Sequence, residues 1–204
     1  MSKIVNKISN NKNHFTGVNP CKFITIHETG NTSRGANALN HGKYINNGSK
    51  ATWHYTVDKD NIVQHFNDNV QCWHAGDGTG KGNTQSIGIE MCINSDGNYP
   101  QTVDRTVDLV FHLMKKHNIP LENIKQHNFW SGKNCPMLMR SGKNGITWNS
   151  FINKIKNKIN NNNVVTNNKL YKVQVGAFGF KENAIKLQKE LISKGYKDIF
   201  IKYE

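Results

Sequence analysis

The stretch that most narrows what this chain can become is SIGIEMCI, residues 86–93. It is short, apolar and rich in isoleucine, which suits a buried strand better than a surface element. In extended backbone, side chains alternate between faces. Ile87, Ile89 and Met91 therefore share one face, and Gly88, Glu90 and Cys92 share the other. A carboxylate between Ile89 and Met91 on such a strand must find a partner or do chemistry.

Other segments fit around it. FITIHET (23–29) alternates apolar and polar residues and reads as a half-buried strand. TWHYTVD (52–58) and NIVQHF (61–66) flank Lys59-Asp60 and predict a hairpin. Val103, Val107, Val110, Phe111 and Met114 recur at helical spacing over 103–117, as do Trp148, Phe151, Ile152, Ile155 and Ile159 further on. Intermixed strands and helices predict an α/β (α+β) body with a central mixed sheet flanked by helices.

Residues 160–168, NNNNVVTNN, read as a flexible polar linker without proline. They separate a body, 1–159, from a tail, 169–204. The tail predicts a strand (171–178), a helix over about 181–194 with Ala184, Leu187 and Leu191 on one face, Gly195 as its cap, and a second strand (198–203).

The chain carries 27 Lys and Arg against 14 Asp and Glu, a formal net charge of +13. That excess favours polyanionic partners: nucleic acid, anionic lipid or cell-wall polymers. The basic residues are scattered, and no nucleic-acid motif or aromatic stacking platform accompanies them, which argues against nucleic acid. No apolar run approaches the length of a membrane span, and MSKIVNKISNNKNHF lacks the apolar core of a signal peptide. The expectation is synthesis in the cytoplasm without membrane insertion. Cys21, Cys72, Cys92 and Cys135 show no CxxC spacing and are too sparse for a disulfide scaffold, so reduced thiols are expected.

One loop concentrates reactive side chains. QHNFWSGKNCP (126–136) places His127, Lys133 and Cys135 within eleven residues. With His27 at the end of its strand, two imidazoles and a thiolate make a donor set that selects zinc over magnesium or calcium. Glu90 beside such an ion could accept a proton from water, and Lys133 could face a developing oxyanion. Taken singly, each has a plainer reading: Glu90 as half of a buried salt bridge, Lys133 as a solvated loop lysine.

Taken in order, FITIHET, SKATWHYTVD, QCWHAGDG, SIGIEMCIN and QHNFWSGKNCP resemble the zinc-dependent N-acetylmuramoyl-L-alanine amidases of the phage-lysozyme and peptidoglycan-recognition superfamily. The likeness runs from about residue 20 to 158. It implies cleavage of the amide between the lactyl group of N-acetylmuramic acid and the L-alanine of the stem peptide. It implies Zn2+ held by His27, His127 and Cys135, Glu90 as general base and Lys133 at the oxyanion. It places His74, of the WHAG loop, in the substrate cleft, though a core role is open to it. Some relatives carry a catalytic tyrosine where this chain has Trp53, so the likeness is to the glutamate-using branch and Trp53 packs or lines the groove. His54 reads as structural or as a support to the ligands.

YKVQVGAFGFKENAIKLQKELISKGYKDIFI resembles the sporulation-related repeat that binds cell-wall glycan, at about half its usual length. One half leaves an open sheet edge and little buried area. Dimerisation, docking on the body, or survival as a remnant are the options. The expected partner is bacterial peptidoglycan, with a homodimer through the tail as one possibility. The expected setting is a phage or prophage endolysin freed by a holin or by lysis. A mother-cell autolysin and a non-catalytic wall-binding module of the same fold are the alternatives.

Overall fold

β3 (Phe23–Glu28) and β7 (Ser86–Met91) lie side by side in parallel, with His27 opposite Glu90. This pair lies inside a six-stranded sheet in the computed structural model, which describes residues 3–167, 174–197 and 199–202. The other strands are β1 (Ile4–Asn6), β4 (Tyr55–Val57), β5 (Ile62–Gln64) and β8 (Ile124–Gln126). Their order is β1-β5-β4-β7-β3-β8, and only β4 and β5 pair antiparallel, so the sheet is mixed. β2 (His14–Val18) and β6 (Val70–Cys72) form a separate antiparallel ribbon.

The expected hairpin is β4–β5, and Asp58 shapes its turn by accepting from the amides of Asp60 at 2.7 Å and Asn61 at 2.6 Å. Around the sheet run α1 (Ala38–Asn46), α2 (Lys81–Thr84), α3 (Tyr99–His117), α4 (His127–Ser131), α5 (Met137–Ser141) and α6 (Trp148–Asn167). As the alternation of β7 predicts, Ile87, Ile89 and Met91 are fully buried in the main core. There they meet Val103, Val107 and Val110 of α3 and Phe151 and Ile155 of α6. Leu109 and Leu113 complete the α3 face, whereas Phe111 is only partly buried, with Lys115 over its ring.

The chain divides into two compact units, Met1–Asn163 and Val164–Glu204. Their boundary falls within the stretch read as a linker, but that stretch is not coil, because α6 runs on through Asn167. Asparagine is a poor helix former rather than a breaker, and neither glycine nor proline occurs between Trp148 and Asn167. In the second unit, α7 spans Lys181–Ser193, with Ala184, Leu187 and Leu191 half-buried and no side chain fully buried. Gly195, at φ 89°, follows its last turn. The two expected strands fall partly outside the described residues, and the described parts, 174–178 and 199–202, are not strand. No helix among the described residues is long and apolar enough to cross a membrane.

Candidate metal centre

Three adjacent parallel strands end side by side and carry the site. Ile26 on β3 is in register with Gln126 on β8, so the next residues, His27 and His127, continue the row that Glu90 begins on β7. Crevices outside the carboxyl ends of parallel strands are the usual place for sites in such sheets. His127 also opens α4, and α4 is held against β3 by Trp130, whose indole N–H donates to Thr25 Oγ1 at 2.9 Å. Cys135 returns from the far side of the loop and ends next to β3, with the Glu28 amide donating to its sulfur at 3.4 Å. The Cys135–Pro136 peptide is cis.

The ligating atoms of His27, His127 and Cys135 all lie within 4.8 Å of one another, and all three residues are buried. The Nδ1 atoms of His27 and His127 are 2.9 Å apart, close to the roughly 3.3 Å between two tetrahedral ligand nitrogens around zinc. Burial first, then the neighbouring His74, His127 and Lys133, holds His27 well below the usual histidine range. Burial and Lys133 likewise bring His127 down to about 4, opposed by a hydrogen bond to the Ala75 backbone. Both rings are therefore neutral and able to ligate. Burial, reinforced by Glu90, pushes the Cys135 thiol up to about 12, so without a cation the sulfur keeps its proton. A metal ion reverses that by stabilising the thiolate directly. These residues fit zinc: two neutral imidazoles, one thiol and a position left open.

Glu90 Oε1 is 3.9 Å from His27 Nδ1, and its Oε2 is buried with no hydrogen-bond partner among the described residues. Burial raises the Glu90 carboxyl to about 8, Lys133 opposing and Glu28 adding. A proton acceptor poised near neutral pH and left unsatisfied is a group arranged for proton transfer. Lys133 is exposed, and its charge reaches His27, His127, Glu90 and Cys135.

A cleft of about 480 Å³ opens over this centre, lined among others by Trp73, His74, His127, Ser131 and Lys133. A larger groove of about 600 Å³ runs past Lys125, Phe129, Arg140 and Trp148, but none of the expected site residues lines it. The smaller cleft is the one that expected site residues line, namely His74, His127 and Lys133, although His27, Glu90 and Cys135 are not part of its lining.

Two expected substrate contacts sit differently. Trp53 is a correction: it is 6% exposed, packed with Ile45, Phe66 and Cys72, and its indole N–H donates to Thr56 Oγ1 at 2.7 Å. Its ring is held by that second core and does not line the cleft. His74 borders the cleft but is itself buried, with Nδ1 3.0 Å from His27 Nε2. His54 is structural. The Gly88 amide donates to its Nδ1 at 2.9 Å, so its proton is on Nε2 and is given to the Val70 carbonyl at 2.8 Å.

Three residues escaped the sequence reading. Trp73 lines the cleft and stacks on Phe15 at 3.9 Å. Asn83 is fully buried and holds the WHAG loop by accepting from the amides of His74 at 2.8 Å and Ala75 at 2.7 Å. Glu28 binds the loop that carries Cys135. Only Trp73, inside the WHAG stretch, carried a signal that could have found it.

Residues 17–137 match the family model described as N-acetylmuramoyl-L-alanine amidase, and residues 141–203 match the SPOR domain, so that domain is present and its match begins upstream of α6. The chain is 45% identical over 130 residues to the N-acetylmuramoyl-L-alanine amidase XlyA of Bacillus subtilis (strain 168), covering 63% of this chain and 42% of that protein. It is 30% identical over 207 residues to CwlA of Bacillus sp, covering 92% of this chain and 81% of that one. The solved catalytic domain of XlyA superposes with a TM-score of 0.69 at 40% identity, covering 76% of this chain and 99% of that one. A mutant endolysin from Bacillus subtilis superposes with a TM-score of 0.70 at 40% identity, with the same coverages of 76% and 99%. The chain spans about half the length of the first curated relatives it matches, 42% of XlyA and 52% of CwlH.

Proposed function

The chain belongs to the N-acetylmuramoyl-L-alanine amidase family, and from that premise we propose that it is a zinc-dependent peptidoglycan hydrolase. Its substrate is the amide between the lactyl group of N-acetylmuramic acid and the L-alanine of the stem peptide. The observation that carries this reading is the convergence of His27, His127 and Cys135 within 4.8 Å, beside the Glu90 carboxylate, whose buried Oε2 has no partner among the described residues.

Zinc bound there supplies a Lewis acid and a water far easier to deprotonate than bulk water. The protein's own groups do the rest. His27 and His127 would hold the ion through ring nitrogens and Cys135 through its sulfur, the thiol proton passing to solvent. Glu90 takes a proton from the attacking water and passes it to the departing alanine nitrogen. Lys133, on the open side of the cleft, faces the oxygen where negative charge develops. The buried walls strengthen both interactions by excluding water.

Residues 1–159 do this chemistry, and 169–204, with the SPOR match, hold the enzyme on wall glycan. The apolar side chains exposed in the second unit, among them Phe178, Phe180, Ile192 and Tyr196, support pairing with a second copy. Kinship with endolysins supports delivery to the wall from within, through a holin or after lysis.

The test is digestion of purified walls with and without a chelator. The expected result is new N-terminal alanine without new reducing sugar, lost on chelation and restored by zinc. New reducing ends would point instead to a glycosidase.

A further inference from the structure

One buried carboxylate has no part in the chemistry above. Glu28 closes β3, one residue beyond His27, and is 7% exposed. Its Oε1 accepts from the Tyr99 hydroxyl at 2.5 Å and from the Met139 amide at 3.2 Å, and its Oε2 accepts from the Leu138 amide at 2.8 Å.

The two amides belong to the first turn of α5, whose donors have no partner inside the helix. Pro136, at the cap position, has no side-chain oxygen to offer, so a carboxylate more than a hundred residues away satisfies them. Tyr99, at the start of α3, fixes the carboxylate from the other side. The main chain of Glu28 meanwhile donates its N–H to the Cys135 sulfur at 3.4 Å. One residue therefore touches the sulfur directly and fixes the helix that begins two residues after it.

We propose that Glu28 is the positioning residue for the Cys135 sulfur, tying the segment between Gly132 and α5 to the end of β3. Without that tie the loop is held by weaker local bonds, such as Asn128 N–H to the Cys135 carbonyl at 3.0 Å. Groups that orient ligands typically change metal affinity by 10–100-fold when removed. The inference rests on the zinc-site reading of His27, His127 and Cys135.

The experiment uses the full chain, freed of metal by chelation, as wild type, Glu28→Ala, Glu28→Gln and Tyr99→Phe. Cobalt(II) is titrated to read the thiolate-to-cobalt charge-transfer band, and zinc affinity is measured by competition with a chromophoric chelator. Glu28→Ala is expected to weaken zinc by about 10–100-fold and to lower the charge-transfer band while imidazole ligation persists. Glu28→Gln, whose amide oxygen still accepts a backbone N–H, is expected to recover most of the band. Tyr99→Phe is expected to fall between. An undiminished band and unchanged affinity in Glu28→Ala overturn the proposal. If that variant does not fold, the same result in Tyr99→Phe overturns it. A wild type that binds neither metal defeats the ligand assignment itself, a different failure.

Discussion

The Nε2 atom of His27 lies 3.0 Å from the Nδ1 atom of His74, with the two rings nearly perpendicular at 87°. Only one proton fits between these nitrogens. If His27 ligates through Nδ1, its proton is on Nε2 and His74 is the acceptor that fixes both tautomer and ring angle. The same WHAG loop supplies the Ala75 backbone to His127, so one loop orients two ligands. Replacing His74 with Ala should therefore lower zinc affinity by about 10–100-fold, read by chelator competition. If His74 only contacted substrate, KM would rise and zinc affinity would not move.

Gly88 is the surface against which His74 rests. A Cβ there would sit 2.8 Å from His74 Cγ and 2.9 Å from Cδ2 and Nδ1, closer than real contacts allow. Gly88→Ala should push the ring away from His27 and cost about 1–3 kcal/mol of stability through overpacking. It should reproduce the zinc defect of His74→Ala. The double variant should be little worse than either single one, because both act on one hydrogen bond. Additive losses in zinc affinity would separate the two effects.

Glu90 couples stability to chemistry. Its carboxyl, raised to about 8 mainly by burial, lies above the roughly 4.3 of an unfolded chain. In metal-free protein its contribution is fully present below the unfolded value and is lost as pH rises toward 8. Glu90→Gln removes that loss. With chelator present, its melting temperature should overtake the wild type's as pH rises from 4 to 8. The same variant should keep zinc yet lose about 10²–10⁴-fold in amidase rate. Parallel melting curves at all pH values would show that Glu90 carries no such burden.

Much of this was legible in the chain. The alternation of SIGIEMCI assigned Ile87, Ile89 and Met91 to the core and left Gly88 and Glu90 on the face that meets His74 and His27. Register was not legible. β8 is three residues long and has no periodicity of its own, so the row Glu90, His27, His127 exists only once β3 has chosen its neighbours. Local composition also misled. NNNNVVTNN looked like coil, yet α6 extends into it as far as Asn167, since nothing there forbids a helical backbone. Trp53 follows the same lesson: its place in a motif gave no hint that Thr56 Oγ1 would accept from its indole N–H. The role of Glu28 was not legible either, because its partners come from 71 and 110 residues away.

Asp68 offers a stability test that leaves the metal centre alone. It is 5% exposed and accepts from the Tyr55 hydroxyl at 2.5 Å, Lys116 Nζ at 2.7 Å and His117 Nε2 at 2.7 Å. Burial, the largest influence, pushes its carboxyl up, but the bonds from Lys116, Tyr55 and His117 together outweigh it and hold the group below the usual carboxylate range. A carboxylate with a depressed folded pKa contributes stability above its unfolded value of about 3.9, and the contribution is lost as pH falls through the folded value. Lys116 is half-exposed, so solvent weakens that ion pair and the hydrogen bonds matter more. Asp68→Ala should cost about 1–3 kcal/mol near neutral pH, chiefly because the Tyr55 hydroxyl is left buried without its acceptor. The deficit against wild type should narrow as pH drops below 4, measured by denaturant unfolding across pH. None of the hydrogen-bond partners of the Asp68 carboxylate is a candidate site residue, so zinc affinity should not change. A variant that loses zinc while keeping its stability would mean that this network supports the metal centre rather than the fold.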